Sequence, residues 1–208
     1  MNLSKITGDW EKVFETDNIT PQFLAGLHIG GAFNIPASGK FFIEPQLLFA
    51  EKGVKFEQNI SGSETNNNIL TTYDGYVKLR EELAYLSIPV LIKYSINNFS
   101  VFAGLFYSFL LEARVEGEEV ISYKETNLNT NLTTYNKKSI YQSHEGTDGF
   151  KASDMGLIGG IEYIFPINLG YEARIENGLE KIFENSSISS KFSNFTIHTG
   201  LKYIVNRK

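Results

Sequence analysis

Residues 99–116 read FSVFAGLFYSFLLEARVE. Every odd position is apolar: Phe99, Val101, Ala103, Leu105, Tyr107, Phe109, Leu111, Ala113 and Val115. The even positions mix Ser100, Gly104 and Ser108 with Phe102, Phe106 and Leu110, then end on Glu112, Arg114 and Glu116. A period of two belongs to a strand whose two sides meet different surroundings. A helix competes for this region, because residues 94–111 are 18 positions without a charge, near the length of a membrane-crossing helix. Asn97-Asn98 interrupts them with a turn signal, and the alternation that follows has no helical period, so the region is read as a hairpin.

The same alternation recurs outward from this stretch. Phe23 to Phe33, Met155 to Phe165, Leu169 to Ile175 and Phe195 to Val205 all place apolar or small residues on odd positions. Two further segments alternate but slip phase near residues 51–53 and 81–83, which reads as β-bulges. The expected strands are 22–35, 40–58, 76–96, 99–116, 151–165, 168–182 and 193–205, with residues 1–7 as part of one more. Short connections at 36–39, 97–98 and 166–168 alternate with long polar ones at 59–75, 117–150 and 183–192. Such alternation predicts an up-and-down meander with one plain end and one elaborate end.

Composition agrees. The chain of 208 residues is one domain long, and 19 Lys and Arg against 24 Asp and Glu give a net charge of −5. No basic surface for nucleic acid is implied. With no Cys and only three His, disulfides, thiolate metal sites and Cys nucleophiles are excluded and a structural zinc is disfavoured. Sixteen Phe, eleven Tyr, eighteen Gly and eighteen Asn suit β-structure with polar loops. A mean hydropathy of −0.17 argues against a helical membrane protein but not against a barrel, whose faces average out. The start, Met1-Asn2-Leu3-Ser4-Lys5, has no apolar signal core, so this chain is read either as cytoplasmic or as a mature or trimmed form.

The best strand runs to about 17 residues, whereas strands in soluble sheets have about five or six and a tilted strand crosses a bilayer in about 9–11. The opposite, polar face collects His28, Glu44, Gln46, Lys93, Glu112, Arg114, Asp154, Glu162, Glu172, Arg174, Glu176, His198 and Lys202. On a soluble protein these would be a solvated exterior; in a membrane barrel they line the lumen. Tyr94, Phe99, Tyr107, Tyr163, Phe165, Tyr171 and Tyr203 gather near strand ends on the apolar side, where interfacial girdles sit. They favour the membrane. The reading is an all-β, antiparallel, up-and-down transmembrane β-barrel forming a single domain over 1–208.

Several segments resemble the PorT-like outer-membrane β-barrel family of the Bacteroidetes type. They are the Gly-rich 25–35 running into Pro36 and Lys40-Phe41, Glu44-Pro45-Gln46-Leu47-Leu48-Phe49 with Lys52-Gly53, and Tyr85-Leu86-Ser87-Ile88-Pro89-Val90-Leu91-Ile92-Lys93-Tyr94. Ala103-Gly104-Leu105-Phe106-Tyr107, residues 154–162 and 171–179, and Gly200-Leu201-Lys202-Tyr203 continue the match. The order and spacing carry the resemblance, which covers most of the chain outside the long loops. It implies eight strands in the outer membrane of a Gram-negative bacterium. Met1 to Gly8 resembles the tail of the family's first strand, here shortened. The chain departs at its end, where Val205 is followed by Asn206-Arg207-Lys208 rather than an aromatic.

The polar face is expected to form a structural network of paired charges, since an eight-stranded barrel has little room for a channel and unpaired charges inside are costly. His28 and His198 face the same lumen and are read as polar filling; no nucleophile elbow, HExxH or phosphate loop accompanies them. Glu81-Glu82 and Glu118-Glu119 are read as a wetted rim and loop, and His144-Glu145-Gly146-Thr147-Asp148 as a weak cation candidate. Asn59, Asn131 and Asn185 open Asn-x-Ser/Thr triplets of the kind Asn-rich loops contain by chance. The expected protein is not an enzyme and carries no cofactor or metal. It contacts outer-membrane lipid, acts as a monomer, and works through loops 59–75 and 117–150 in adhesion, partner binding or secretion-related assembly. Two alternatives stay open: a soluble lipocalin-like barrel with a hydrophobic ligand, and a small membrane-barrel enzyme or transporter.

Overall fold

The computed structural model describes residues 1–8, 20–183 and 192–205. Residues 184–191 of the expected 183–192 connection, including Asn185, and the terminal Asn206-Arg207-Lys208 lie outside the described residues. Among the described residues, eleven strands make one antiparallel sheet: β1 (Asn2–Thr7), β2 (Gln22–Gly26), β3 (His28–Ala32), β4 (Ile35–Ser38), β5 (Phe41–Asn66), β6 (Ile69–Ile96), β7 (Phe99–Asn127), β8 (Thr133–Glu145), β9 (Ser153–Ile164), β10 (Leu169–Gly178) and β11 (Ser193–Tyr203). β2, β3 and β4 are successive segments of one wall strand along β5, and β8 pairs only with β7. The remainder closes: β1 pairs with both β11 and β2, and β2 pairs with β5. Eight strands thus form a hydrogen-bonded ring. Among the described residues no helix is long and apolar enough to cross a membrane; the chain crosses with strands.

The apolar face points outward. Along β6 the outward residues are Ile96, Tyr94, Ile92, Val90, Ile88, Leu86 and Ala84, followed by Glu82, Arg80 and Lys78. On β5 the change comes between Phe49 and Glu51, and on β7 between Leu111 and Glu112. From Tyr94 to Ala84, steps of about 3.3 Å on a strand tilted by about 40° cover about 25 Å of height, the thickness of a lipid-facing band. A soluble lipocalin-like barrel needs its apolar side inward, so this arrangement is its inverse.

The plain end is built by tight turns. Gly39, Asn97 and Asn168 have φ of +57°, +55° and +59°, a left-handed backbone that Gly and Asn adopt at little cost.

The elaborate end departs from expectation. Residues 59–75 and much of 117–150, expected as loops, are strand. β5, β6 and β7 run for 26, 28 and 29 residues and, with β8, rise beyond the apolar band as a four-stranded sheet. Asn67 and Asn68, with φ of +48° and +61°, make the two-residue hairpin turn that suits strand twist. Between β7 and β8, Asn127 Oδ1 accepts the N–H groups of Asn129 and Thr130 at 2.9 and 3.2 Å.

The phase slips also resolve differently. β5 and β6 keep one register throughout. Opposite residues 51–53 of β5, the extra residue belongs to the partner wall strand: four residues, 24–27, separate the pairs Phe23↔Val54 and His28↔Ala50. Opposite Ala84 and Tyr85 of β6, the extra residue is Leu111 of β7. β5 only seemed to slip, because its lumen face turns from Glu44 and Gln46 to Leu48, Ala50, Val54 and Phe56 without changing parity.

Candidate functional site

The lumen holds a ladder of ion pairs. Glu44, Lys93, Asp154, Glu162, Glu172, Arg174, Glu176 and His198 are all buried there. Toward the plain end, Lys93 bonds Glu44 and lies 2.8 Å from Glu162. Lys202 reaches Glu44, Glu162 and Glu172 at 2.9, 2.6 and 2.9 Å. Arg174 joins this group to a second one, with Nη1 3.3 Å from Glu172 and Nη2 3.2 Å from Glu176. Nη1 also donates to Gln46 Oε1 at 2.7 Å, and Gln46 Nε2 donates to Glu44 Oε1 at 2.7 Å. Higher up, Glu176 lies 3.1 Å from Lys52 Nζ and 3.2 Å from His198 Nε2. His28 is half-buried, its ring edge-on to that of His198 at 4.9 Å. In a water-poor interior such pairing offsets the cost of stripping water from each charge.

Glu112 and Arg114 are corrections. Strict alternation along 99–116 places them in the lumen. The extra residue at Leu111 reverses the parity of β7, so Ala113 is buried while Glu112 is exposed. Arg114 pairs instead with Glu145 of β8, at 2.5 Å, on the outside. That contact also occupies Glu145, one of the two carboxylates of the 144–148 cation candidate.

Lys52 is a lumen residue that the sequence reading missed. Its ammonium is fully buried, 3.1 Å from Glu176 and 3.6 Å from Asp154, and sits over the Phe106 ring at 4.4 Å. The parity of β5 contained the signal: Lys52 shares the even face of Glu44 and Gln46. Asn194 was missed too; its Nδ2 donates to Asp154 Oδ2 at 2.9 Å.

The ladder does not run open through the barrel. Leu91, Phe102, Phe106 and Ile158 fill one wall of the lumen. Gly156 and Gly160 make room for these rings: a Cβ on Gly160 would lie 2.5 Å from Phe102 Cζ and 2.5 Å from the Ala173 carbonyl oxygen. Above the ladder, Ile6, Val54, Phe56, Leu83, Tyr85, Ala113, Phe150, Ile182 and Phe192 form an apolar cluster. Glu81 is buried at this level, and its Oε1 has no hydrogen-bond partner among the described residues. Glu44, Glu162 and Glu172 bring carboxylate oxygens within 4.8 Å of one another, a spacing that could hold a cation. Lys93 and Lys202 already place ammonium groups among them.

β1 pairs with β11 from Asn2 at His198 to Thr7 at Ser193. Toward the plain end, Thr199–Tyr203 of β11 and β3 have no strand between them among the described residues. A cleft of about 190 Å³ lies there, lined among others by His28, Gly30, Arg174, Gly200 and Lys202.

Outside, the aromatics expected as a girdle fall into two groups. Phe99 pairs with Tyr163 and Tyr163 with Tyr171, while Tyr94 pairs with Phe41 at a ring separation of 4.9 Å. With Phe165 and Tyr203 these form a belt at the plain end. Tyr107 is farther up β7, opposite Ile88 and Met155 and 5.0 Å from the Phe109 ring. It lies within the band, outside the plain-end belt.

A family model described as an outer membrane protein beta-barrel domain matches residues 2–184. The chain belongs to that family. No curated protein and no solved structure matched it. As an outer-membrane β-barrel, the protein resides in the outer membrane with its apolar band in lipid. Such barrels have short turns on the periplasmic side and longer excursions on the cell surface.

The surface excursion of this outer-membrane barrel is the raised sheet. Its outer face carries Lys78 3.5 Å from Glu57, the Arg80–Glu82 pair, and Tyr76, whose hydroxyl donates to Glu118 at 3.0 Å. The Glu118 carboxylate that accepts this bond holds the Tyr76 hydroxyl above the usual tyrosine range. The expected partner segments 59–75 and 117–150 are therefore side by side in one sheet.

Proposed function

We propose that the protein acts by contact rather than catalysis: the barrel anchors, and the raised β5–β6–β7–β8 sheet is the surface that meets another protein outside the cell. One observation carries this. The strands continue as paired sheet far past the height that lipid requires, whereas the lumen below is occupied by ion pairs and capped by apolar side chains. Ordering so many extra residues costs backbone entropy, which a barrel serving only as a wall would not incur. The resemblance to the PorT-like family extends the reading to a Gram-negative bacterium and to secretion-related assembly or adhesion as the setting.

The test is to replace residues 58–75 and 118–143 by short turns. The trimmed barrel should keep a heat-dependent mobility shift on denaturing gels and lose its cross-links to neighbouring proteins in the outer membrane. An unchanged set of cross-linked proteins would overturn the reading.

A further inference from the structure

We infer that the raised sheets of neighbouring copies join edge to edge, β5 of one copy against β8 of the next. The inference rests on the reading that the raised sheet is a contact surface, and it names the partner as a second copy of this chain.

Among the described residues, both outer edges of the raised sheet are without a strand partner. Among the described residues, Glu57–Asn66 of β5 bond only to β6, and β8 bonds only to β7. Exposed edges invite pairing, and natural sheets block them with lysine, proline or bulges. β5 has none of these from Gln58 to Ser63, a stretch without charge. β8 carries Lys137 and Lys138 at its middle. The two edges share cross-strand rows, since Ile60 pairs with Gly75, Gly75 with Ile121 and Ile121 with Lys138.

Direction and charge then select the pairing. All copies in one membrane point the same way, so neighbours are related by axes along the membrane normal. Two β5 edges, or two β8 edges, would meet parallel. β5 rises from the membrane and β8 returns toward it, so β5 against β8 is antiparallel, the more stable arrangement. A β8–β8 contact would gather the lysines of both copies. A β5–β5 contact would gather Glu57 and Glu64 of both copies. β5 against β8 sets the lysines beside the uncharged stretch instead, since Lys138 and Lys137 share rows with Ile60 and Ser61. The lysines thus block like edges from pairing and leave the unlike edge open. The contact is head-to-tail, so it makes rings or rows rather than closed two-fold dimers.

The chain has no cysteine, which makes disulfide trapping clean. Asn59→Cys, Ser61→Cys and Ser63→Cys on β5, and Ser139→Cys, Tyr141→Cys and Ser143→Cys on β8, all lie on the outer face. The full-length chain would be directed to the outer membrane of a Gram-negative host by a signal peptide, expressed singly or in β5/β8 pairs, and oxidised. Linked dimers are expected in the pairs and not in the single variants. Adding Ser61→Lys should abolish them while Ser61→Glu should not, with the heat-dependent mobility shift proving that each barrel is folded. Equal dimer in single variants, or no dimer in any pair, would overturn the inference. If no dimer forms yet trimming the sheet still removes cross-linked proteins, the contact reading survives and the partner is another protein. If trimming removes none, the contact reading falls with it.

Discussion

Lys52 of β5 lies 3.1 Å from Glu176 of β10, and the two strands stand on opposite sides of the eight-stranded ring. The pair braces the lumen from wall to wall, with Asp154 3.6 Å away on the same ammonium. Lys52→Met would leave Asp154 with no ionic partner and Glu176 with only Arg174 and His198. Removing one partner of a buried pair costs about 3–5 kcal/mol. The variant should unfold at distinctly lower urea concentration in lipid vesicles, read by the loss of the compact band on an unheated gel. Unchanged resistance would mean that the ladder is not bearing on stability.

Arg174 and Arg114 were indistinguishable by alternation, yet the bulge at Leu111 separates them. Arg174→Ala strips a buried network of its bridging cation and should destabilise the barrel severely. Arg114→Ala removes a solvent-exposed pair with Glu145 and should change stability little. Comparing the two unfolding midpoints checks the register of β7. Equal losses would place Arg114 inside after all.

Glu81 should respond in the opposite sense. Its carboxyl is buried beside Val54 and Leu83, and Oε1 has no hydrogen-bond partner among the described residues. An unsatisfied buried group costs about 1–3 kcal/mol, so Glu81→Leu should raise the temperature at which the mobility shift is lost. A lower temperature would show that the carboxyl has a working role at the top of the lumen.

Much of this was legible in the chain. The alternation from Phe99 to Leu111 determined strand, lipid face and lumen face together, because a period of two leaves no other way to separate seven apolar positions from the rest. The same parity placed Glu44, Lys93, Glu162, Glu172, Arg174, Glu176 and His198 in one interior. Tertiary structure alone decided the remainder. A bulge is one extra residue whose cost is set by the neighbouring strand, so the reversal after Leu111 left no mark in the composition of β7. Lys52 escaped notice because the lumen face of β5 turns apolar around it, which imitates a change of phase. The raised sheet was hidden for a related reason. Above the membrane no face of a strand must be apolar, so 59–75 and 117–145 lack the alternation that betrays strands in lipid, and only backbone pairing with β6 and β7 shows what they are.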